Sequence, residues 1–230
     1  MGSPWRVAPA LLCLAMGAVP LAPAAASSLE VTTDFVSEYV FRGVDYHQGT
    51  SLQTSLNYNI LNSLTAAIWT NLRMENGFAL TETDYSLQWR AITAGRAQAT
   101  FGTLLYDRAA SLGGQTGELF AGVDINMPVK PSLYVYYDWH ANPGAYFEGS
   151  LSHRFQLPNY KGSVDLSGTL GFDAGRINGY QNAKIAVGFT RFLGDWRLSP
   201  AVEVNFPARD VDPLANNCRP VFKFTASRSF

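Results

Sequence analysis

Cysteine is nearly missing from the chain: the 230 residues hold 2, Cys13 and Cys218. Cys13 lies in a segment expected to be removed, and bulky Leu12 before it makes it a poor lipoprotein cysteine. Cys218 is then alone, which excludes an intrachain disulfide and a Cys/His zinc cluster. Charge is scarce too, 15 % of residues, with 17 basic side chains against 18 acidic ones. That near-balance leaves no basic footprint, so no nucleic-acid partner is expected. After the N-terminal segment no stretch approaches the ~20 apolar residues of a spanning helix. Phosphate cradles are missing as well: "SLGGQTG" (111–117) lacks the lysine and following helix of a P-loop. Nothing in the chain calls for a cofactor or a metal, and none is expected.

What is present begins at the N-terminus. Arg6 is the only charged residue before Glu30, and the apolar run "ALLCLAMGAVPLA" (10–22) follows it. Small residues come next, with "AAA" at 24–26 offering a cleavage site. This order is that of a secretory signal. The run is too short for a spanning anchor, and Pro20 and Pro23 interrupt its end. The expected division is a signal peptide over 1–26 and a single domain over 27–230. Without Arg6 the mature chain is slightly acidic.

The domain alternates. In "SLQTSLNYNI" (51–60) Leu52, Thr54, Leu56, Tyr58 and Ile60 fall on one side of a strand, and Ser51, Gln53, Ser55, Asn57 and Asn59 on the other. The same pattern recurs in about twelve segments: 30–42, 51–60, 64–73, 79–90, 97–106, 117–126, 132–140, 145–156, 163–173, 180–193, 196–206 and 221–230. Each is near the length of a tilted spanning strand. The segment 97–106 is the weakest, and losing it with a neighbour would leave ten. Aromatics at 13 % and 20 glycines also suit strands and turns better than helices.

Connectors and aromatics carry the architecture further. Compact turns at 61–63, 91–96, 127–131, 157–162 and 193–195 alternate with longer loops, among them 43–49, 107–117, 173–180 and 207–220. Short turns on one side and longer loops on the other mark outer-membrane barrels, with both termini on the periplasmic side. In that orientation Tyr39, Phe41, Phe78, Trp139, Phe147, Phe172, Phe206 and Phe222 form an outer girdle. Tyr58, Trp89, Phe155, Trp196 and Phe230 form an inner one. Arg191 and Arg228, on the apolar face, fall near the inner rim, where arginine costs about 0–1 kcal/mol rather than ~2–4 at the midplane. A secreted sandwich would explain the alternation but neither the girdles nor the loop asymmetry. The expected fold is all-β: a transmembrane antiparallel up-and-down barrel of about 12 strands, with short periplasmic turns and longer outer loops, embedded in outer-membrane lipid.

In such a barrel the polar parity faces a lumen. It carries Glu30, Asp34, Glu38, Glu82, Asp84, Glu118, Asp124, Asp138, Glu148, Asp165, Asp173 and Glu203 against Arg42, Arg73, Arg90, Arg154, Lys184, Arg197 and Lys223. All of these except Glu30, Asp165, Asp173 and Lys223 are the candidate pore-lining residues. Arg42, Arg73 and Arg90 are expected together on three early strands, opposite an acidic majority. Two readings follow: a charged constriction that sorts small solutes with a mild preference for cations, or a salt-bridged interior that fills a narrow barrel. Inward Trp69, Tyr106, Tyr134 and Tyr136 form either a stacking track for a ring-shaped solute or plain packing. A rim hydrolase would need a base; His140 with Asp138 two residues back, and Ser111 in the next long loop, are the candidates. No G-x-S-x-G surrounds Ser111, and the expectation is a non-enzyme. Loop 208–220, with Cys218, could serve adhesion.

Two stretches carry a resemblance. Residues 32–58, "TTDFVSEYVFRGVDYHQGTSLQTSLNY", hold Y-x-F-R-G at Tyr39, Phe41, Arg42 and Gly43, then a polar loop with Gln48. This resembles the opening hairpin of the TorF-like family of bacterial outer-membrane porins. The last strand, "VFKFTASRSF", looks like the C-terminal assembly signal of outer-membrane barrels. It ends in Phe230 with Phe222, Phe224 and Ala226 in phase, and Arg228 departs from the usual apolar residue. The resemblance implies a membrane barrel with transport as its activity and the barrel-assembly machinery as a partner through the last strand. It implies no particular solute.

Overall fold

The computed structural model describes residues 27–75, 77–141, 143–211 and 218–230. The expected signal peptide, 1–26, lies outside the described residues, as does 212–217 of the longest loop. Among the described residues there are fourteen strands: β1 Ser28–Val36, β2 Tyr39–Phe41, β3 Val44–His47, β4 Ser51–Leu61, β5 Leu64–Arg73, β6 Ala79–Ala94 and β7 Ala97–Arg108, then β8 Gln115–Ile125, β9 Lys130–Asp138, β10 Gly144–Leu157, β11 Gly162–Ala174, β12 Gly179–Leu193, β13 Trp196–Pro207 and β14 Arg219–Ser229. Twelve of them close into an antiparallel barrel in the order β1-β14-β13-β12-β11-β10-β9-β8-β7-β6-β5-β4. β2 and β3 pair only with each other.

Sequence neighbours pair in register, and β1 closes the ring by pairing with both β4 and β14. At that seam the Leu29 N–H donates to the Phe230 carbonyl at 3.2 Å, and the Phe230 N–H donates to Leu29 at 2.8 Å. Closure matters because an open edge in lipid would leave backbone groups unpaired, at several kcal/mol each. Segment 97–106 is a full strand, β7, so the count is twelve and not ten.

The period-2 pattern sorts the side chains as in a membrane barrel, polar in and apolar out. Among the described residues the largest fully buried side chains are Glu82, Asn71 and Ser51, all polar. Leu56, Tyr58, Ile68, Leu87, Leu133 and Val187 are exposed on the outer face. The outer girdle holds Phe78, Trp139, Phe147, Phe172, Phe206 and Phe222; the inner one holds Tyr58, Trp89, Phe155, Trp196 and Phe230. At the inner rim Arg228 bonds Asp195 at 3.1 Å and lies over the rings of Trp196 and Phe230. Gly122 in β8 leaves room for the ring of Tyr134 lying across it, where any side chain would collide.

The first segment is a correction. Residues 30–42 do not form one strand. β1 stops at Val36, where the Ser37 N–H donates to the Phe222 carbonyl and the Ser37 hydroxyl accepts from the Phe222 N–H, both at 2.9 Å. The chain then leaves the wall and turns into the lumen as the β2–β3 hairpin. Tyr39 and Phe41, expected on the outer girdle, therefore point inside; Tyr39 is buried. The turn expected at 91–96 also shrinks, since β6 runs to Ala94.

Candidate functional site: a hairpin across the lumen

The hairpin is built on a two-residue turn. Phe41 pairs with Val44, leaving Arg42 and Gly43 between them with φ of 49° and 79°. Positive φ at both central positions is the type I′ geometry that suits the twist of a tight hairpin. Glycine accepts it freely, whereas arginine does so at ~1–2 kcal/mol. Gly43 has a second reason to be glycine: a Cβ there would lie 2.7 Å from the Cβ of Asn182 on β12. The hairpin tip thus presses against the far wall. The Arg42 carbonyl accepts from Gln181 Nε2 at 2.9 Å.

What holds Arg42 in that conformation is its side chain. Its Nη1 and Nη2 donate to Glu118 Oε1 and Oε2 at 2.6 and 2.9 Å, a bidentate pair. The guanidinium lies 4.2 Å from the Tyr146 ring centroid, 4.5 Å from Tyr136 and 4.9 Å from Phe41. The Tyr106 hydroxyl donates to Glu118 Oε2 at 2.9 Å. Burial alone would lower the Arg42 pKa, but the bonds to Glu118 raise it, so the guanidinium stays charged.

A second lock sits on β6 and β7. The Tyr39 hydroxyl donates to Glu82 Oε2 at 2.8 Å, and Arg108 Nε donates to Glu82 Oε1 at 2.5 Å. Burial and the adjoining Glu82 carboxylate push the Tyr39 hydroxyl well above the tyrosine range, so it remains a donor. Arg108 lies over the rings of Tyr106 and Tyr46 at 4.3 and 5.1 Å. A third lock is Arg219 on β14, which bonds Glu38 at 2.9 Å and also Asp45.

The hairpin divides the lumen. Toward the long loops is a cavity of about 150 Å³ bordered by Arg42, Arg108, Glu118, Asp138, Tyr146 and Arg176. On the other side is a larger one, about 530 Å³, whose wall includes Asp34, Glu38, Asp84, Glu148, Lys184 and Glu203. A third, of about 350 Å³, lies at the short-turn end around Gln98, Asp124 and Lys130.

The remaining candidates fall into distinct places. Lys184 bonds Glu203 at 3.5 Å, and Lys223 reaches Asp34 and Glu203 at 3.4 and 3.6 Å. Arg197 bonds Glu30 at 3.1 Å, and Arg154 bonds Asp165. Asp124 accepts from the Tyr134 hydroxyl at 2.6 Å. Glu82 is 1 % exposed, sealed behind Tyr39 and Arg108 rather than facing open lumen. Arg42, Arg73 and Arg90 do not form one basic face. Arg42 leaves the wall for Glu118 on β8, the Nε of Arg73 is buried without a partner, and Arg90 is exposed near the short-turn end.

The rim candidates for hydrolysis are not assembled as a triad. Both Asp138 oxygens accept from the Thr116 hydroxyl at 2.8 Å, and Oδ1 also accepts from the His140 backbone N–H. The His140 ring instead contacts the Gln115 carbonyl, 3.3 Å away. Cys218 is exposed.

The sequence pattern does not reveal Arg108, which falls in the expected loop 107–117, nor the inward Tyr39, Phe41, Tyr46 and Tyr146. The signal for the hairpin was the Arg-Gly pair between an aromatic and a β-branched residue, the mark of a tight turn.

No family model and no curated protein sequence matches the chain. Solved structures do. The NanC porin superposes with a TM-score of 0.56 at 12 % identity, covering 87 % of this chain and 98 % of that one. The KdgM porin superposes with a TM-score of 0.57 at 10 % identity, covering 88 % and 99 %, and it has also been solved in complex with disordered oligogalacturonate. At these identities the shared property is the fold: the chain has the closed antiparallel barrel of outer-membrane porins.

Proposed function

We propose that the chain is an outer-membrane channel for passive passage of small solutes, reaching that membrane through a cleaved N-terminal signal and the barrel-assembly machinery. Its constriction is the β2–β3 hairpin. The observation that carries this reading is the polar cavity of about 530 Å³ beneath the hairpin, inside a closed barrel with an apolar outer face. The fold shared with the NanC and KdgM porins and the TorF-like opening motif point the same way. Asp34, Glu38, Arg42, Asp84, Glu148, Lys184 and Glu203 are then pore-lining, and Asp124, Arg154 and Arg197 line the periplasmic mouth. A filled, silent barrel is the second reading, favoured by the three locks on the hairpin. Planar-bilayer recording of the refolded 27–230 chain separates them. Stepwise currents are expected, and their absence at every voltage would leave the filled barrel.

A further inference from the structure

The lumen shows what its own walls bind. Two arginines line it, and each is held in the same way, by a carboxylate together with aromatic faces. Arg42 has Glu118 with Tyr136 and Tyr146; Arg108 has Glu82 with Tyr106 and Tyr46. A third station has the same parts but no cation. On β6, Asp84 stands in register between Trp69 of β5 and Tyr106 of β7. The Trp69 ring packs on Tyr39 with centroids 5.6 Å apart. All four residues border the 530 Å³ cavity.

Charge accounting leaves this station without a cation of the chain's own. Among the described residues, the cations on this cavity are paired: Arg42 with Glu118, Lys184 with Glu203, and Lys223 with Asp34 and Glu203. Glu38 is bonded by Arg219. Two carboxylates on the same wall remain without an ion pair, Asp84 and Glu148. Asp84 Oδ1 is buried with no hydrogen-bond partner, and the neighbouring side chain of the same parity on β6 is another acid, Glu82. Arg108 itself spends its Nε on Glu82. Glu148, on β10, meets Tyr134 across the strand pair and accepts only a long bond, 3.4 Å, from the Tyr146 hydroxyl. Uncompensated carboxylates beside aromatic faces are the chemistry that recognises an organic cation. The cavity volume lies within the ~300–1,000 Å³ of small-molecule sites.

We propose that Asp84, with Trp69 and Tyr39, forms a mid-lumen binding site for a small organic cation bearing a guanidinium or ammonium group. This deepens the channel reading and rests on it for a route to the site. The solute takes the place that Arg42 and Arg108 take at the other two stations, and Glu148 adds to the field that draws it in.

The test is isothermal titration calorimetry of the refolded 27–230 barrel in detergent, with agmatine as the cationic probe and glutamate as the anionic one. Agmatine should bind and glutamate should not. Asp84→Asn should weaken agmatine binding about tenfold or more, and Asp84→Glu should retain it. Trp69→Leu should weaken it several-fold, as expected for a lost cation–π face. Asp210→Asn, in the exposed long loop, should leave it unchanged. If Asp84→Asn does not refold, as judged by gel mobility without boiling, Trp69→Leu and Asp210→Asn give the same contrast. No agmatine binding to the wild type, or equal binding by wild type and Asp84→Asn, would overturn the site. Bilayer currents without agmatine binding would overturn this inference and leave the channel. Binding without currents would overturn the channel and leave the site.

Discussion

Replacing Arg42 with methionine should unseat the hairpin. The substitution keeps a long side chain on the turn but removes a bidentate pair at 2.6 and 2.9 Å and the contacts with three rings. Glu118, 6 % exposed, is left with the Tyr106 hydroxyl as its side-chain donor. Stranding one partner of a buried pair costs ~3–5 kcal/mol. Much of that penalty is relieved if the hairpin swings aside and water reaches Glu118. The locks at Glu82 and Arg219 resist, so only part of the gain shifts the hairpin. Each 1.4 kcal/mol changes the ratio of displaced to seated hairpin tenfold, so even half of the penalty shifts it about tenfold or more. Single-channel recording should show larger or longer openings for Arg42→Met and for Glu118→Gln than for the wild type. Thermal melts followed by gel mobility should show the barrel itself still folded. Unchanged conductance in both variants, with folding intact, would mean that the hairpin does not stand in the conduction path.

Other consequences are simpler. Gly43→Ala adds a Cβ against Asn182 at a φ of 79°, and should weaken the hairpin by ~1–2 kcal/mol or more, read as increased protease cleavage within 37–50. Val187→Arg places a charge near the middle of the outer face of β12 and should lower the free energy of folding into vesicles by ~2–4 kcal/mol; Leu193→Arg, at the end of the same strand, should cost ~0–1 kcal/mol, both from urea titrations. Phe230→Ala removes an exposed inner-rim aromatic beside the β1–β14 seam and should reduce the membrane-fraction yield, with equal yield counting against an assembly role.

The barrel was legible because one physical rule acts on every strand. Lipid outside and water inside impose period-2 sorting, and Leu56 and Tyr58 against Ser55 and Asn57 obey it as plainly as Phe222 and Phe224 against Lys223. The hairpin was hidden by the same rule. Val31, Phe35, Tyr39 and Phe41 share a parity, so the first strand reads as continuous through Phe41. The parity loses its meaning at Ser37, where the chain steps off the wall and a side chain's surroundings are no longer set by lipid on one side. Arg108 was hidden by a boundary: β7 runs to Arg108, two residues beyond the segment 97–106, and the small residues that follow, Ala109 and Ala110, carry no alternation to extend it. Which lumenal charges pair was not readable either. Arg42 and Glu118 lie 76 residues apart, and only the inward fold of the hairpin brings them together.

The way the hairpin is fastened bears on its purpose. Exchanging a buried ion pair for packed apolar side chains of similar volume is often neutral, or stabilising by ~1–4 kcal/mol. A hairpin meant only to fill a barrel would be held better by apolar contacts. Here it is held by Arg42–Glu118, by Tyr39 on the Arg108–Glu82 pair, and by Arg219 on Glu38 and Asp45. Those bonds can be exchanged for bonds to water, so they suit a constriction that is seated yet displaceable. The double variant Arg42→Met with Glu118→Leu tests this. It removes both charges and leaves methionine and leucine against the rings of Tyr136 and Tyr146, so neither partner is stranded. It should melt at or above the wild-type temperature, keep the hairpin resistant to protease, and conduct less than the wild type, where Arg42→Met alone conducts more. A double variant as leaky as the single one would show that the charges themselves, and not the penalty of stranding one of them, keep the hairpin in place.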